Sequence, residues 1–146
     1  MNLKELSDFL QNECYQEHAY HIGSGWNACG DAYCLEQTNS RYEIFYVERG
    51  QRGKTIQSFT NEDEVCRKFV GLLNQERFSK AHCIGFFTLK KEADSTAEQL
   101  ACAGITVHRD TIPYSSSDDF RYRVFVFGRD KIRAKEIING QGKLSI

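Results

Sequence analysis

Two histidines and three cysteines near the start of the chain are the residues most capable of metal or thiol chemistry. They are Cys14, His18, His21, Cys29 and Cys34. Zinc takes four Cys or His ligands in a tetrahedron, and a four-residue spacing would place Cys14 and His18 on one face of a helix. Strong zinc signatures use two close cysteine pairs. This segment offers one pair spaced C-x4-C, so a metal site remains an alternative hypothesis.

Other patterns that carry catalysis are weaker. Cys83 follows His82, but neighbours on a strand point to opposite faces, so the imidazole is badly placed to activate the thiol. The Gly23-Ser24-Gly25 segment is too short for a phosphate-binding loop or a nucleophile elbow. We therefore predict no catalytic residue, and no cofactor or metal is expected.

Composition limits the class of protein. The chain has 146 residues, with 19 Lys+Arg against 20 Asp+Glu. Nucleic-acid binders usually carry a basic excess, so nucleic acid is not an expected partner. Without an apolar stretch of about 18 residues, no membrane-spanning helix is expected and a membrane is not an expected partner either. The start of the chain alternates charge with leucine and does not resemble a signal peptide. We expect a cytoplasmic protein whose six cysteines are reduced.

Hydrophobic periodicity predicts an α+β protein with two small lobes. The chain is expected to form one domain over 1–146, in which residues 1–77 and 78–146 are the possible lobes. The first lobe should be helix, three-stranded antiparallel meander, helix. The predicted elements are a helix over 2–19, strands over 32–37, 42–48 and 54–59, and a helix from a cap at Thr60 or Asn61 to about 77.

The second lobe is predicted as strand, helix, strand, strand, helix. A helix opened at Asp94 should end at Gly104, and Asp130 should cap a last helix closed by Asn139-Gly140. The predicted strands cover 82–89, 105–112 and 121–127, with a polar loop over 114–119. Cys66, Cys83 and Cys102 sit in apolar patterns, where a free thiol behaves as a small hydrophobe.

Three segments resemble parts of bacterial immunity proteins from polymorphic and contact-dependent growth inhibition toxin systems. They are residues 46–52 (YVERGQR), residues 62–66 (EDEVC) and residues 121–128 (RYRVFVFG). In that family an aromatic-x-Glu-Arg-Gly turn leads to a strand and then to an acidic helix start with Glu-Ala-Cys. Val65 stands here where alanine is common.

The resemblance implies a protein that binds and neutralises a cognate toxin C-terminal domain, expected to be a nuclease, and that is not an enzyme. A nuclease site is basic, so exposed acids and loop aromatics are the expected contacts. The predicted protein-binding residues are Glu48, Arg49, Glu62, Asp63, Glu64, Tyr114, Asp118 and Asp119. The alternatives are a small thiol- or metal-dependent enzyme, or a small-ligand-binding module built on the second lobe.

Overall fold

A computed structural model describes the backbone of residues 1–144 and the side chains of residues 1–140. The chain divides into two compact units, Met1–Ser79 and a second unit that begins at Lys80. In the described residues, the strands form two separate sheets, and each unit has its own helices. The predicted α+β class is therefore confirmed. None of the described helices has the length and apolar character needed to span a bilayer.

The first unit contains two helices and a four-stranded sheet. Its elements are α1 (Leu3–Asn12), β1 (Tyr20–Ile22), β2 (Ala32–Thr38), β3 (Arg41–Glu48), β4 (Gln51–Phe59) and α2 (Glu62–Gln75). The strands lie in the order β1-β2-β3-β4; β1 is parallel to β2 and the other pairs are antiparallel. The predicted meander is therefore present, and β1 adds a fourth strand at one edge.

The first helix is shorter than predicted because a C-terminal cap ends it at Asn12. Cys14 takes a left-handed conformation with φ 57°. The backbone N–H groups of Cys14 and Tyr15 donate to the carbonyls of Gln11 (3.1 Å) and Leu10 (3.0 Å). This is the Schellman pattern, which usually has glycine at the left-handed position. The prediction of one helix through residue 19 is wrong, and Cys14 and His18 do not share a helical face.

Strand β3 has buried residues on both of its faces. On one face, Tyr42 and Ile44 of β3, together with Leu35 of β2, pack against α1 and α2. On the other face, Phe45 packs with Val47 under a loop that carries Trp26. The Trp26 and Phe45 rings meet edge to face at 5.7 Å. The loop at residues 23–31 thus closes the side of the sheet that has no helix.

The second unit places two helices beside a three-stranded sheet. Its elements are β5 (Ala81–Phe87), α3 (Lys90–Cys102), β6 (His108–Pro113), β7 (Phe120–Phe127) and α4 (Asp130–Leu144). The strand order is β5-β7-β6, and both pairings are antiparallel. Val124 and Val126 of β7 are fully buried with Ala93, Leu100 and Ala134 of the helices. The predicted order of elements is confirmed.

Three boundaries in the second unit differ from the prediction by about one helical turn, and the other strand ends differ by at most two residues. Helix α3 begins one turn before Asp94, at Lys90, without a side-chain cap. Gly104 ends α3 as predicted, with φ 80°, but strand β6 begins only at His108. Ile105 is buried instead as the apolar contact of the helix cap. Helix α4 continues through Asn139-Gly140 to Leu144, because isolated glycine and asparagine weaken a helix without always ending it.

Candidate functional site

The cysteines and histidines near the start of the chain are dispersed in the structure. His18 is exposed in a short turn, and the ring of His21 on β1 contacts the Ser24 carbonyl through Nε2 at 2.5 Å. Cys34 is fully buried in β2. Among the described residues, no group of three or more His, Cys, Asp or Glu side chains could hold a metal ion.

The six thiols fall into distinct environments. Cys34 and Cys66 are fully buried, and burial raises the pKa of Cys34 to about 12 and that of Cys66 to about 11. Such thiols are poor nucleophiles because the thiolate is the reactive form. Cys83 and Cys102 are exposed, so the prediction of small buried hydrophobes is wrong for these two. For Cys83 on β5, alternation marks a strand face, but it does not show whether another layer covers that face.

The acidic start of α2 stabilises the first unit. Glu62 accepts hydrogen bonds from the Leu3 backbone N–H (2.8 Å) and the Tyr42 hydroxyl (3.3 Å). Asp63 accepts from the Met1 amino group (2.7 Å) and from Arg67 (2.9 Å), and these bonds lower its pKa. Glu64 is exposed, and its backbone N–H donates to the Asn61 cap. Of these three predicted contact residues, Glu62 and Asp63 therefore have structural partners already.

The polar loop of the second unit presents an aromatic ring beside an ion pair. Tyr114 is 62% exposed, and the Arg121 guanidinium lies 4.4 Å from its ring centroid. Asp119 accepts from the Ser115 hydroxyl and from Arg121 (2.5 Å), and both bonds lower its pKa. Asp118 is exposed in the same loop. The structure thus brings the three predicted residues of this loop together.

The Glu48-Arg49 turn joins β3 to β4. Arg49 (φ 52°) and Gly50 (φ 75°) both have positive φ, as the type I′ hairpin turn requires. The Arg49 backbone N–H donates to Asp31 Oδ1 at 3.0 Å, which ties the hairpin to the loop before β2. A shallow groove of about 470 Å³ runs along this hairpin and includes Glu48, Arg49 and Tyr46.

Tyr46 also borders an open cavity of the first unit, here named the tyrosine cleft. Its volume is about 250 Å³. Its lining includes His18, Asp31, Tyr33, Tyr46, Glu76 and Phe78. Strand pairing sets Tyr33 directly opposite Tyr46, and their rings meet edge to face at 5.0 Å. The Tyr33 hydroxyl donates to Glu76 Oε1 at 3.3 Å.

Carboxylates give the tyrosine cleft a negative character. Burial raises the pKa of Tyr46, and the charges of Asp31, Glu76 and Glu48 raise it further. Burial raises the pKa of Tyr33 as well, and Glu76 adds to the effect through its charge and its hydrogen bond. Asp31 and Glu76 are exposed, while Tyr46 is 38% exposed. An aromatic surface flanked by accessible carboxylates is suited to binding a cation.

None of the residues that line this cleft was among the predicted contacts, including Asp31, Tyr33 and Glu76. Tyr46 was noted only as the first residue of the turn motif. The signal that could have found Tyr33 is register: pairing β2 with β3 across the turn at Asn39-Ser40 places positions 33 and 46 opposite each other. Glu76 comes from the end of a distant helix, and no local pattern connects it to the strands.

Comparisons of this chain with models of protein families, with curated proteins and with solved structures find no match.

Proposed function

We propose that this protein is an immunity protein that binds a cognate toxin domain in the cytoplasm and neutralises it without catalysing a reaction. The observation that supports this function best is the tyrosine cleft, where Tyr33 and Tyr46 lie beside the carboxylates of Glu76 and Asp31. The proposed toxin is a nuclease, whose active site must be basic to hold phosphate.

The chemistry of the cleft suits such a partner. Tyrosine is enriched among the residues that dominate binding energy, because it offers a large rigid surface and a polar tip. Nearby carboxylates accelerate association with a basic surface and fix its orientation. Since the formal net charge is only −1, this attraction would come from a local patch and not from the whole protein.

The proposed interface includes the cleft and the adjoining turn. Glu48 and Arg49 line the adjoining groove, which shares Tyr46 with the cleft, and we include these two predicted contacts in the proposed interface. Glu64, Tyr114 and Asp118 remain predicted contacts on exposed surface. The predictions for Glu62, Asp63 and Asp119 also stand, although each of these side chains already accepts hydrogen bonds within the protein.

Co-expression tests this function. The gene immediately upstream is expected to encode a large secreted protein, and its C-terminal domain would be expressed with this chain in one host. Wild-type chain should rescue growth, and so should Glu98→Lys, which changes an exposed acid on α3. Glu76→Lys should rescue poorly. An upstream gene that encodes no toxin, or a wild-type chain that fails to rescue, would contradict the proposal.

A further inference from the structure

The chain binds three of its own arginines in one way, with the guanidinium near an aromatic ring and paired with a carboxylate. The three sets are Phe45, Arg52 and Glu43; Tyr114, Arg121 and Asp119; and Phe125, Arg123 and Asp110. The guanidinium carbons lie 4.0, 4.4 and 4.9 Å from the ring centroids. The shortest nitrogen–oxygen distances in the ion pairs are 2.8, 2.5 and 2.5 Å.

This arrangement recurs because a guanidinium satisfies two different neighbours at once. Its flat face stacks on a ring, where the quadrupole attracts positive charge. Its edge carries N–H donors in a fork that matches a carboxylate. An ammonium group offers neither the planar face nor the fork. An aromatic ring beside an acid therefore favours arginine over lysine.

The tyrosine cleft contains the ring and the acids of such a set, and the nearby Arg77 guanidinium lies 5.5 Å from the ring of Phe78, not over the tyrosines. Among the residues whose side chains the structure describes, no basic side chain lies within ion-pair distance of Glu76 or Asp31. The cleft is open, and its volume of about 250 Å³ falls below the roughly 300–1,000 Å³ typical of small-molecule pockets. A single side chain matches this space better than a metabolite does.

We propose that the tyrosine cleft receives an arginine side chain of the partner protein, stacked on Tyr46 and paired with Glu76. This inference rests on the proposed function for the identity of the partner, but the arginine preference is a property of the cleft alone. Asp31, held by the Arg49 backbone N–H, adds a second negative charge at the rim. The occupant is thus an arginine exposed on the basic face of the toxin domain.

Nuclear magnetic resonance with a minimal probe tests the arginine preference without the toxin. Uniformly ¹⁵N-labelled protein at pH 7.5 would be titrated with N-acetyl-arginine amide, N-acetyl-lysine amide or N-acetyl-citrulline amide. Citrulline has nearly the shape of arginine but no charge. Arginine amide should shift the backbone resonances of residues 31–33, 46–49 and 76 and saturate in the millimolar range, because each exposed contact is weak. Lysine amide should bind less tightly, and citrulline amide should not bind.

Variants locate the probe. Glu76→Gln keeps an acceptor for the Tyr33 hydroxyl and should weaken arginine amide binding about three- to fivefold, the loss expected for one exposed ion pair. The matched control Glu98→Gln should leave binding unchanged. Equal shifts with citrulline or lysine amide, shifts confined to other residues, or no effect of Glu76→Gln would overturn the proposal.

The two proposals fail separately. Growth rescue by wild-type chain without arginine amide binding would overturn the arginine site and leave the immunity function standing. Arginine amide binding without growth rescue would overturn the immunity function and leave the arginine site standing, since the cleft would then bind an arginine of a different partner.

Discussion

The set formed by Arg52, Phe45 and Glu43 allows a direct measurement of how strongly a ring and a carboxylate hold a guanidinium in this protein. We expect Arg52→Met to destabilise the first unit while keeping a long unbranched side chain over Phe45. The change removes a cation–π contact at 4.0 Å, an ion pair at 2.8 Å and a hydrogen bond to Thr55 at 3.2 Å.

The expected magnitude follows from these three contacts. A partly exposed cation–π contact contributes about 0.5–1 kcal/mol. An ion pair whose two side chains are 33% and 29% exposed contributes roughly 0.5 kcal/mol, and the hydrogen bond contributes a similar amount. The expected loss is therefore about 1.5 kcal/mol. With a urea slope of about 2 kcal/mol per molar, the unfolding midpoint should fall by about 0.8 M.

Tryptophan fluorescence is a suitable assay because Trp26, the single tryptophan, packs on the same Phe45 ring. Arg67→Met is the matched control: Arg67 is 77% exposed and pairs only with a neighbour on its own helix, so it should cost less than about 0.5 kcal/mol. If Arg52→Met changed the midpoint no more than the control does, the argument that rings and acids bind guanidinium in this chain would be refuted.

Three further predictions test other parts of the structure. At pH 8, native protein should react rapidly with the thiol reagent DTNB at the exposed Cys83 and Cys102. Cys34 has a pKa of about 12, so only about one Cys34 side chain in ten thousand is a thiolate, and it should react only after denaturant is added. Labelling of Cys34 in the native state, located by mass spectrometry, would contradict the packing described. Arg49→Asn should raise the free energy of unfolding by about 0.5 kcal/mol, and so raise the urea midpoint, because asparagine tolerates the left-handed conformation at φ 52° better than arginine does. A lower midpoint would mean that the Arg49 side chain supports the fold. Arg123 lowers the pKa of Asp110, so this pair should contribute about 1 kcal/mol to the stability of the fold above about pH 4 and lose that contribution as the pH falls through the lowered pKa. The thermal unfolding temperature of Asp110→Asn should therefore differ from that of wild type at pH 7 and converge with it toward pH 2. A constant difference across that range would argue against the pair.

The sequence predicts the order of elements well where local signals agree with the tertiary structure. Alternation in β3, the Asn61 cap of α2 and the left-handed Gly104 after α3 all have local physical causes. The end of α1 was missed because Cys14 takes the position that glycine usually occupies. Strand β1 was missed because three residues are too few for a period to show.

The candidate site was harder to predict because it depends on long-range contacts. The Glu48-Arg49 turn has a clear local signature, but its two residues line a neighbouring groove that shares only Tyr46 with the tyrosine cleft. Asp31, Tyr33 and Glu76 come from a loop, a strand and a helix end, and only the folded unit brings them together. The acids of α2 looked like free surface charge in sequence, yet Glu62 bonds to Leu3, 59 positions earlier in the chain.

Calorimetric titration of the purified upstream toxin domain into this protein is the most direct measurement of the central claim. A one-to-one complex is predicted for wild type and for Glu98→Lys, with at least tenfold weaker binding for Glu76→Lys, because the reversed charge would meet an arginine in the cleft. No binding by wild type, or equal affinity of all three proteins, would contradict a toxin-binding role centred on the tyrosine cleft.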